Sequence, residues 1–417
     1  MSESKQHPAR LHSSTEVLTR GFDPRLSLGS ARPAVFRSST YIFPSPEAAE
    51  RAFRVAQGRS RPAKDEDIGL IYARINHPNA EILEDQLVPL EAGANAAAVF
   101  NSGMAAMMTA LTTFVKPGQK LVYTTPLYGG TQHLIHEFLE PIGIGGVAVL
   151  AGRTGEMTRA IQQTPDLAGV LVETPANPTM TMTDLVAAVE AARSRRPAPL
   201  VLVDNTFLGP TFQHPLQLGA DLVLYSATKY LSGFSDLLAG AALAADEELI
   251  TRMKARRIIF GNILPPDECW MLDGRLPTVT LRMNRSSKNA QRIAEHLARH
   301  PKLAKVYYPS LFDDPDQIRI RDQQCDYPGG LLSIELKGGR AAAFDFLRQL
   351  KIVRLAVSLG GVESLACHPK TTTHSPLSAE EQAAAGITEG LVRISVGIED
   401  WRDLLADFEQ ALEQVSG

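Results

Sequence analysis

Two places in the sequence put reactive side chains at the end of an apolar run. Val201-Leu202-Val203 leads directly into Asp204, and Leu222-Val223-Leu224-Tyr225 leads through Ser226-Ala227-Thr228 into Lys229. If both runs are strands of an open α/β sheet, the carboxylate and the amine stand at carboxyl ends, where such sheets hold ligands. This pair is what pyridoxal phosphate asks of a protein. An amine bonds the cofactor's aldehyde, and an acid keeps its pyridine nitrogen protonated so that the ring can accept electrons. Spacing alone leaves a second reading open, in which Asp204 caps a helix and Lys229 is a surface residue.

A phosphate seat lies upstream. Ser102-Gly103 precedes a helical stretch, Gly103 to Val115, rich in Ala and Met. A helix N-terminus offers free N–H groups and a favourable dipole to an anion. Ser226 and Thr228 add hydroxyls beside Lys229. Ser102 is equally well read as an ordinary N-cap.

The elements that must position these residues alternate. Apolar strand-like runs fall at Ala96–Phe100, Lys120–Tyr123, Gly146–Leu150, Val170–Glu173, Leu200–Val203, Leu222–Tyr225 and Ala239–Ala244. Helical stretches separate several of them, among these Thr131–Leu139 and Leu185–Arg193. The expectation is an α/β fold with a large, mostly parallel sheet covered by helices on both faces. A different texture follows residue 265: an amphipathic helix at Ser286–His300, strands with one wet face at Leu331–Leu336 and Leu391–Ile398, and a C-terminal helical stripe through Leu404, Phe408 and Leu412. This reads as a smaller α+β domain. The expected divisions are 1–65 as an arm, 66–270 as the large domain and 271–417 as the C-terminal domain. Up to about residue 60 little helical or strand period is visible.

Composition narrows the function. The chain has 417 residues, a net charge of -4 and 21% charged residues, with no basic footprint for nucleic acid. Three widely spaced cysteines form neither a disulfide framework nor a metal pattern. No apolar run approaches a membrane span, and the first ten residues, MSESKQHPAR, lack the apolar stretch expected of a secretory leader. A cytoplasmic protein is expected, without metal, nucleic-acid or membrane partners.

Nine stretches, in order, resemble the cystathionine γ-synthase/methionine γ-lyase family of Cys/Met-metabolism pyridoxal-phosphate enzymes, of fold type I (aspartate-aminotransferase-like). They are YARINHPN (72–79), FNSGMAA (100–106), PLYGGT (126–131), ETPANP (173–178), VDNTF (203–207), SATKYLSG (226–233), LRM (281–283), AVSLGGVESLACHP (356–369) and VRISVGIE (392–399). The resemblance implies that Lys229 bonds the cofactor and shuttles a proton, and that Asp204 pairs with the pyridine nitrogen. It implies that Tyr128 stacks on the ring and serves the leaving group. Ser102, Gly103, Met104, Ser226 and Thr228 line the phosphate, and Asn177 sits near the phenolic oxygen. Tyr72 and Arg74 reach a neighbouring subunit's phosphate, so the resemblance implies a homotetramer, a dimer of dimers, with the arm lying on its partner. Arg393 grips the substrate carboxylate beside Ser358. A guanidinium fork suits a carboxylate, and Arg393 lies opposite the apolar face of its strand.

The chain departs from the family pattern at several positions. Phe234 replaces a histidine, and Gly130 stands where some methionine γ-lyases carry a reactive cysteine. Val357 resembles the γ-lyases, whereas many cystathionine enzymes have a glutamate there to meet a distal ammonium. These residues favour γ-elimination on a methionine-like or homocysteine-like amino acid, or on a non-sulfur analogue such as canavanine. The alternative is γ-replacement on an O-acylhomoserine, by a cystathionine γ-synthase or sulfhydrylase. A non-catalytic scaffold would have lost Lys229, Asp204 or Arg393, and all three are present.

Overall fold

Strands made of continuous apolar residues need cover on both faces. The computed structural model describes residues 11–63 and 66–415 and joins seven such strands into one sheet. They are β1 (Ala96–Phe100), β2 (Lys120–Thr125), β3 (Gly145–Leu150), β4 (Leu167–Glu173), β5 (Leu200–Asp204), β6 (Leu222–Tyr225) and β7 (Gly240–Ala244), in the spatial order β1-β7-β6-β5-β4-β2-β3. Pairing is parallel from β3 through β6, and β7 alone runs against its neighbours β6 and β1. Val170, Leu171, Val201, Leu202, Val203 and Val223 are fully buried. The reversal at β7 arises because the Lys229 loop returns the chain alongside β6 without a crossover helix.

A second sheet follows: β8 (Leu303–Tyr307), β9 (Leu331–Leu336), β10 (Arg354–Leu355), β11 (Leu365–Cys367) and β12 (Leu391–Ser395), ordered β10-β11-β12-β9-β8. The Val279–Leu297 and Trp401–Gln414 helices pack beneath it. Phe346 and Phe408 stack there at 6.2 Å, both fully buried, and each such side chain contributes roughly 1.5–3 kcal/mol by burial.

Two expectations need correction. β9 and β12 do not have a wet face: every residue of β12 is buried. Val392, Ile394 and Val396 enter the local core, and on the opposite face Arg393 meets Asn177 and Ser395 accepts the Gly360 N–H. One strand thus alternates between a core and a second buried environment, not between core and water. The N-terminal region is also not featureless. Pro46–Ala56 is an amphipathic helix, capped by Ser45, whose side chain accepts from the Ala48 N–H, with Pro46 at its first position. The expected helix after Thr131 forms, and its second half, Leu134–Leu139, is a wider π turn. Expectations for residues 1–10 lie outside the described residues. Among the described residues no helix is long and apolar enough to cross a membrane.

Candidate active site

The parallel register sets the floor of the site. Glu173 stands opposite Asp204, and Asp204 opposite Leu224, so β4, β5 and β6 end level with one another. The chain continuing from these ends lines a cavity of about 260 Å³. Ser102, Gly103, Met104, Tyr128, Asn177, Asp204, Ser226, Thr228, Lys229, Val357 and Arg393 all border it. Of the other residues expected in the site, Ser358 is bonded to Lys229, whereas Tyr72 and Arg74 lie elsewhere.

Asp204 is held by one oxygen. Its Oδ1 accepts from the Thr206 hydroxyl at 2.6 Å and the Thr206 N–H at 3.1 Å. The same hydroxyl accepts from the Ser226 N–H at 2.9 Å, which ties the acid to the lysine loop. Oδ2 accepts nothing among the described residues. Burial raises the Asp204 pKa, and the two Thr206 bonds oppose that rise.

Lys229 donates to Ser358 Oγ at 2.9 Å. Burial, with Arg393 nearby, brings its amine down to about 8. The loop behind it is clamped by Arg282, which donates to the carbonyls of Tyr230 at 2.7 Å and Leu231 at 3.1 Å. Gly233 makes room for this clamp. Its φ is +79°, and a Cβ there would lie 2.0 Å from Arg282 Nη1. Phe234 does not border the cavity. Its ring lies 4.9 Å from the Arg275 guanidinium and 5.6 Å from that of Arg282. Phe234 therefore acts on the clamp, where its ring face covers two cations.

The expected phosphate seat is a close approach of two backbones. Ser102 caps the Gly103–Phe114 helix, its Oγ accepting from the Ala105 N–H at 3.1 Å. A Cβ on Gly103 would sit 2.9 Å from Ser226 Cβ. Ser102 is thus an N-cap and also a border of the cavity, and the two readings of the sequence are compatible. Tyr128 is half exposed at the rim, with its N–H donating to Glu173 Oε2 at 2.8 Å. A side chain at position 130 would meet Tyr128 Cε1 at 2.7 Å and Met104 Sδ at 3.0 Å. Gly130 is what lets the ring lie where it does.

Arg393 is 2% exposed. Its Nη2 donates to the Val357 and Ser358 carbonyls at 2.7 and 3.1 Å, and its Nη1 to Asn177 Oδ1 at 3.3 Å. Its Nε is buried without a partner, an orphan donor of the kind an anion satisfies. Tyr72 and Arg74 are 41% exposed and surface-bound respectively: Arg74 donates to the Ile258 carbonyl at 2.9 Å and lies 5.6 Å from the Tyr72 ring. Neither borders the cavity of its own chain.

The sequence reading missed Thr206, Glu173 and Arg282 as members of the site. They lie inside VDNTF, ETPANP and LRM, but their roles depend on contacts between distant stretches, which spacing along the chain does not reveal.

The donor set fits pyridoxal phosphate. A lysine with a depressed pKa, a carboxylate oxygen free to meet a ring nitrogen, a helix N-terminus with two hydroxyls beside it, and a tyrosine at the rim converge on one cavity at the carboxyl edge of a mostly parallel sheet. Fold and site together define a fold-type I pyridoxal-phosphate enzyme. Comparison with known proteins specifies the family. Residues 14–413 match the model of the Cys/Met metabolism PLP-dependent enzymes. An L-methionine gamma-lyase of Pseudomonas deceptionensis is 38% identical over 405 residues, covering 97% of this chain and 98% of its own. A cystathionine beta-lyase of Bacillus subtilis is 39% identical over 345 residues, 83% of this chain and 86% of its own. A cystathionine gamma synthase of Xanthomonas oryzae, solved with aminoacrylate and cysteine, superposes with a TM-score of 0.88 at 34% identity, over 98% of this chain and 99% of that one. The chain belongs to the Cys/Met-metabolism family of pyridoxal-phosphate enzymes, and its substrate is an amino acid.

Proposed function

We propose that this enzyme is a γ-lyase acting on an amino acid with an uncharged γ-substituent, methionine or homocysteine first among them. The observation that carries this reading is the mouth of the cavity. Val357 and Leu238 border it, exposed to 56% and 65%, and neither can bind the distal ammonium of cystathionine. The L-methionine gamma-lyase relative points the same way.

Pyridoxal phosphate, when bound, supplies an electron sink for the charge left at the substrate's α-carbon. The chain's own residues do the rest. Asp204 Oδ2 would keep the pyridine nitrogen protonated. Ser102, Gly103, Met104, Ser226 and Thr228 would seat the phosphate, and Asn177 would stand by the phenolic oxygen. Arg393 grips the substrate carboxylate, with Ser358 beside it, and so fixes which α-bond faces Lys229. Lys229 Nζ, which burial and Arg393 push toward the neutral form, removes the α-proton. Tyr128 Oη, at the rim, gives a proton to the departing γ-substituent.

The assembly we propose is a cytoplasmic homotetramer built as a dimer of dimers. In it Tyr72 and Arg74 complete the phosphate seat of a neighbouring subunit, and the described part of the arm, residues 11–63, lies on that neighbour. The exposure of Tyr72, and its distance from its own cavity, support this. The domain bounds 66–270 and 271–417 belong to the same proposal, since each span holds one sheet.

The test is a keto-acid release assay on cofactor-loaded protein, with methionine, homocysteine, cystathionine, canavanine and O-acetylhomoserine, each with and without added thiol. Release from methionine or homocysteine without thiol supports the γ-lyase. Consumption of the O-acyl substrate only when thiol is present replaces it with γ-replacement.

A further inference from the structure

Glu173 is the buried acid that the chemistry above leaves unused. It is 4% exposed at the end of β4, in register with Asp204 on β5. Oε2 accepts the Tyr128 N–H at 2.8 Å, while Oε1 is buried with no partner. The strand end is itself pinned, with the Glu173 N–H donating to Thr124 Oγ1 at 3.0 Å. Two carboxyl groups therefore stand side by side on the floor of the cavity, and only one is needed beneath a ring nitrogen.

The charged and titratable groups around Glu173 decide its state. From β5 it faces Asp204, and from β12 Arg393. Lys229 and Tyr225 border the same cavity beyond β6, and Tyr128 stands at its rim. His374 lies near Arg393 and is held neutral by burial, its pKa lowered to about 4. The only cation among these with a fixed fork is Arg393, and its Nη2 is held by the Val357 and Ser358 carbonyls and one Nη1 proton by Asn177, none of them by Glu173. Glu173 has the Tyr128 N–H at 2.8 Å, a weaker contribution from the Asn177 N–H and no salt-bridge partner, whereas Asp204 accepts a short hydroxyl bond at 2.6 Å as well as an N–H from Thr206. Like charges on adjacent groups cannot both persist in a buried site, and the less supported one takes the proton.

We propose that Glu173 works as a neutral carboxylic acid, a positioning residue that holds the Tyr128 backbone over the ring seat while leaving Asp204 the sole negative charge on the cavity floor. Burial first and Asp204 second push the Glu173 pKa upward, in the direction this requires. The inference rests on the proposed roles of Tyr128 and Asp204, but its test does not rest on turnover.

The experiment compares wild type, Glu173→Gln and Glu173→Ala by equilibrium binding of pyridoxal phosphate to the apoprotein, by the circular dichroism of the bound cofactor, and by infrared difference spectroscopy at neutral pH. Glutamine keeps the acceptor for the Tyr128 N–H and is neutral, so E173Q is expected to hold the cofactor within about threefold of wild type with the same dichroic band. E173A loses the backbone anchor, and its affinity is expected to fall about tenfold, the effect of one hydrogen bond, with an altered band. The wild-type minus E173Q spectrum should contain the C=O stretch of a protonated carboxyl group. If E173A does not fold, E173Q and the infrared spectrum decide alone. Loss of affinity in E173Q, or a carboxylate stretch in place of the acid's, overturns the proposal.

Discussion

Replacing Arg393 with lysine separates the charge of the guanidinium from its shape. The fork is pre-aimed: Nη2 is fixed on two carbonyls at 2.7 and 3.1 Å, Nη1 lies 3.3 Å from Asn177 Oδ1, and Nε is buried and unpartnered. A bidentate grip on a substrate carboxylate makes two charge-assisted bonds, and an ammonium at this position makes one. Losing one such bond costs about 1.5–3 kcal/mol. At ~1.4 kcal/mol per decade this is roughly a 10- to 150-fold fall in kcat/KM. The positive charge stays, so cofactor affinity and the titration of Lys229 should stay with it. Steady-state keto-acid release over a range of amino-acid concentrations reads the first quantity, and binding of pyridoxal phosphate to the apoprotein reads the control. A kcat/KM within about twofold of wild type, at unchanged cofactor occupancy, would refute the carboxylate grip.

Burial and Arg393 hold the Lys229 amine at about 8, below the ordinary lysine value, so the charged form prevails below that pH and the nucleophilic neutral form above it. The rate at which apoprotein captures the cofactor should climb through pH 8 and level off, as followed by visible absorbance. In Arg393→Leu the curve should move to higher pH, because a repelling cation is gone; a curve that stays in place counts against the coupling. Gly103→Ala drives a methyl group to 2.9 Å from Ser226 Cβ, and overpacking of about 1–3 kcal/mol should weaken cofactor binding by roughly tenfold or more, measured on the apoprotein. Arg74→Ala should lower cofactor retention on gel filtration although Arg74 is outside its own cavity, and unchanged retention would argue against a seat shared between subunits.

Much of this site was legible in the sequence because its residues follow directly on apolar strands. The runs ending at Asp204 and Tyr225 declare their own carboxyl ends, and the Ser102-Gly103 step declares a helix start. What stayed hidden depends on contacts across the fold. Thr206 links Asp204 to Ser226 through a hydroxyl, Arg282 reaches back 52 residues to the Tyr230 carbonyl, and Glu173 meets Asp204 only because β4 and β5 are adjacent and in register. The supposed wet face of β12 illustrates the same limit. Alternation in a sequence separates two environments, but it does not say whether the second is water or another domain. The Pro46–Ala56 helix was missed for a different reason: Ala49, Ala52, Phe53 and Ala56 stand clearly against Glu47, Glu50, Arg51 and Arg54, but they form one short helix inside a stretch rich in Pro, Ser and Arg.

The most direct test of the central claim is product analysis after incubating the cofactor-loaded enzyme with methionine alone. A γ-lyase must release 2-oxobutanoate, methanethiol and ammonia in equal amounts, with no added thiol, and this is the result expected. No release from methionine or homocysteine, together with pyruvate formed from cystathionine, would contradict the account and assign the chain a β-elimination instead.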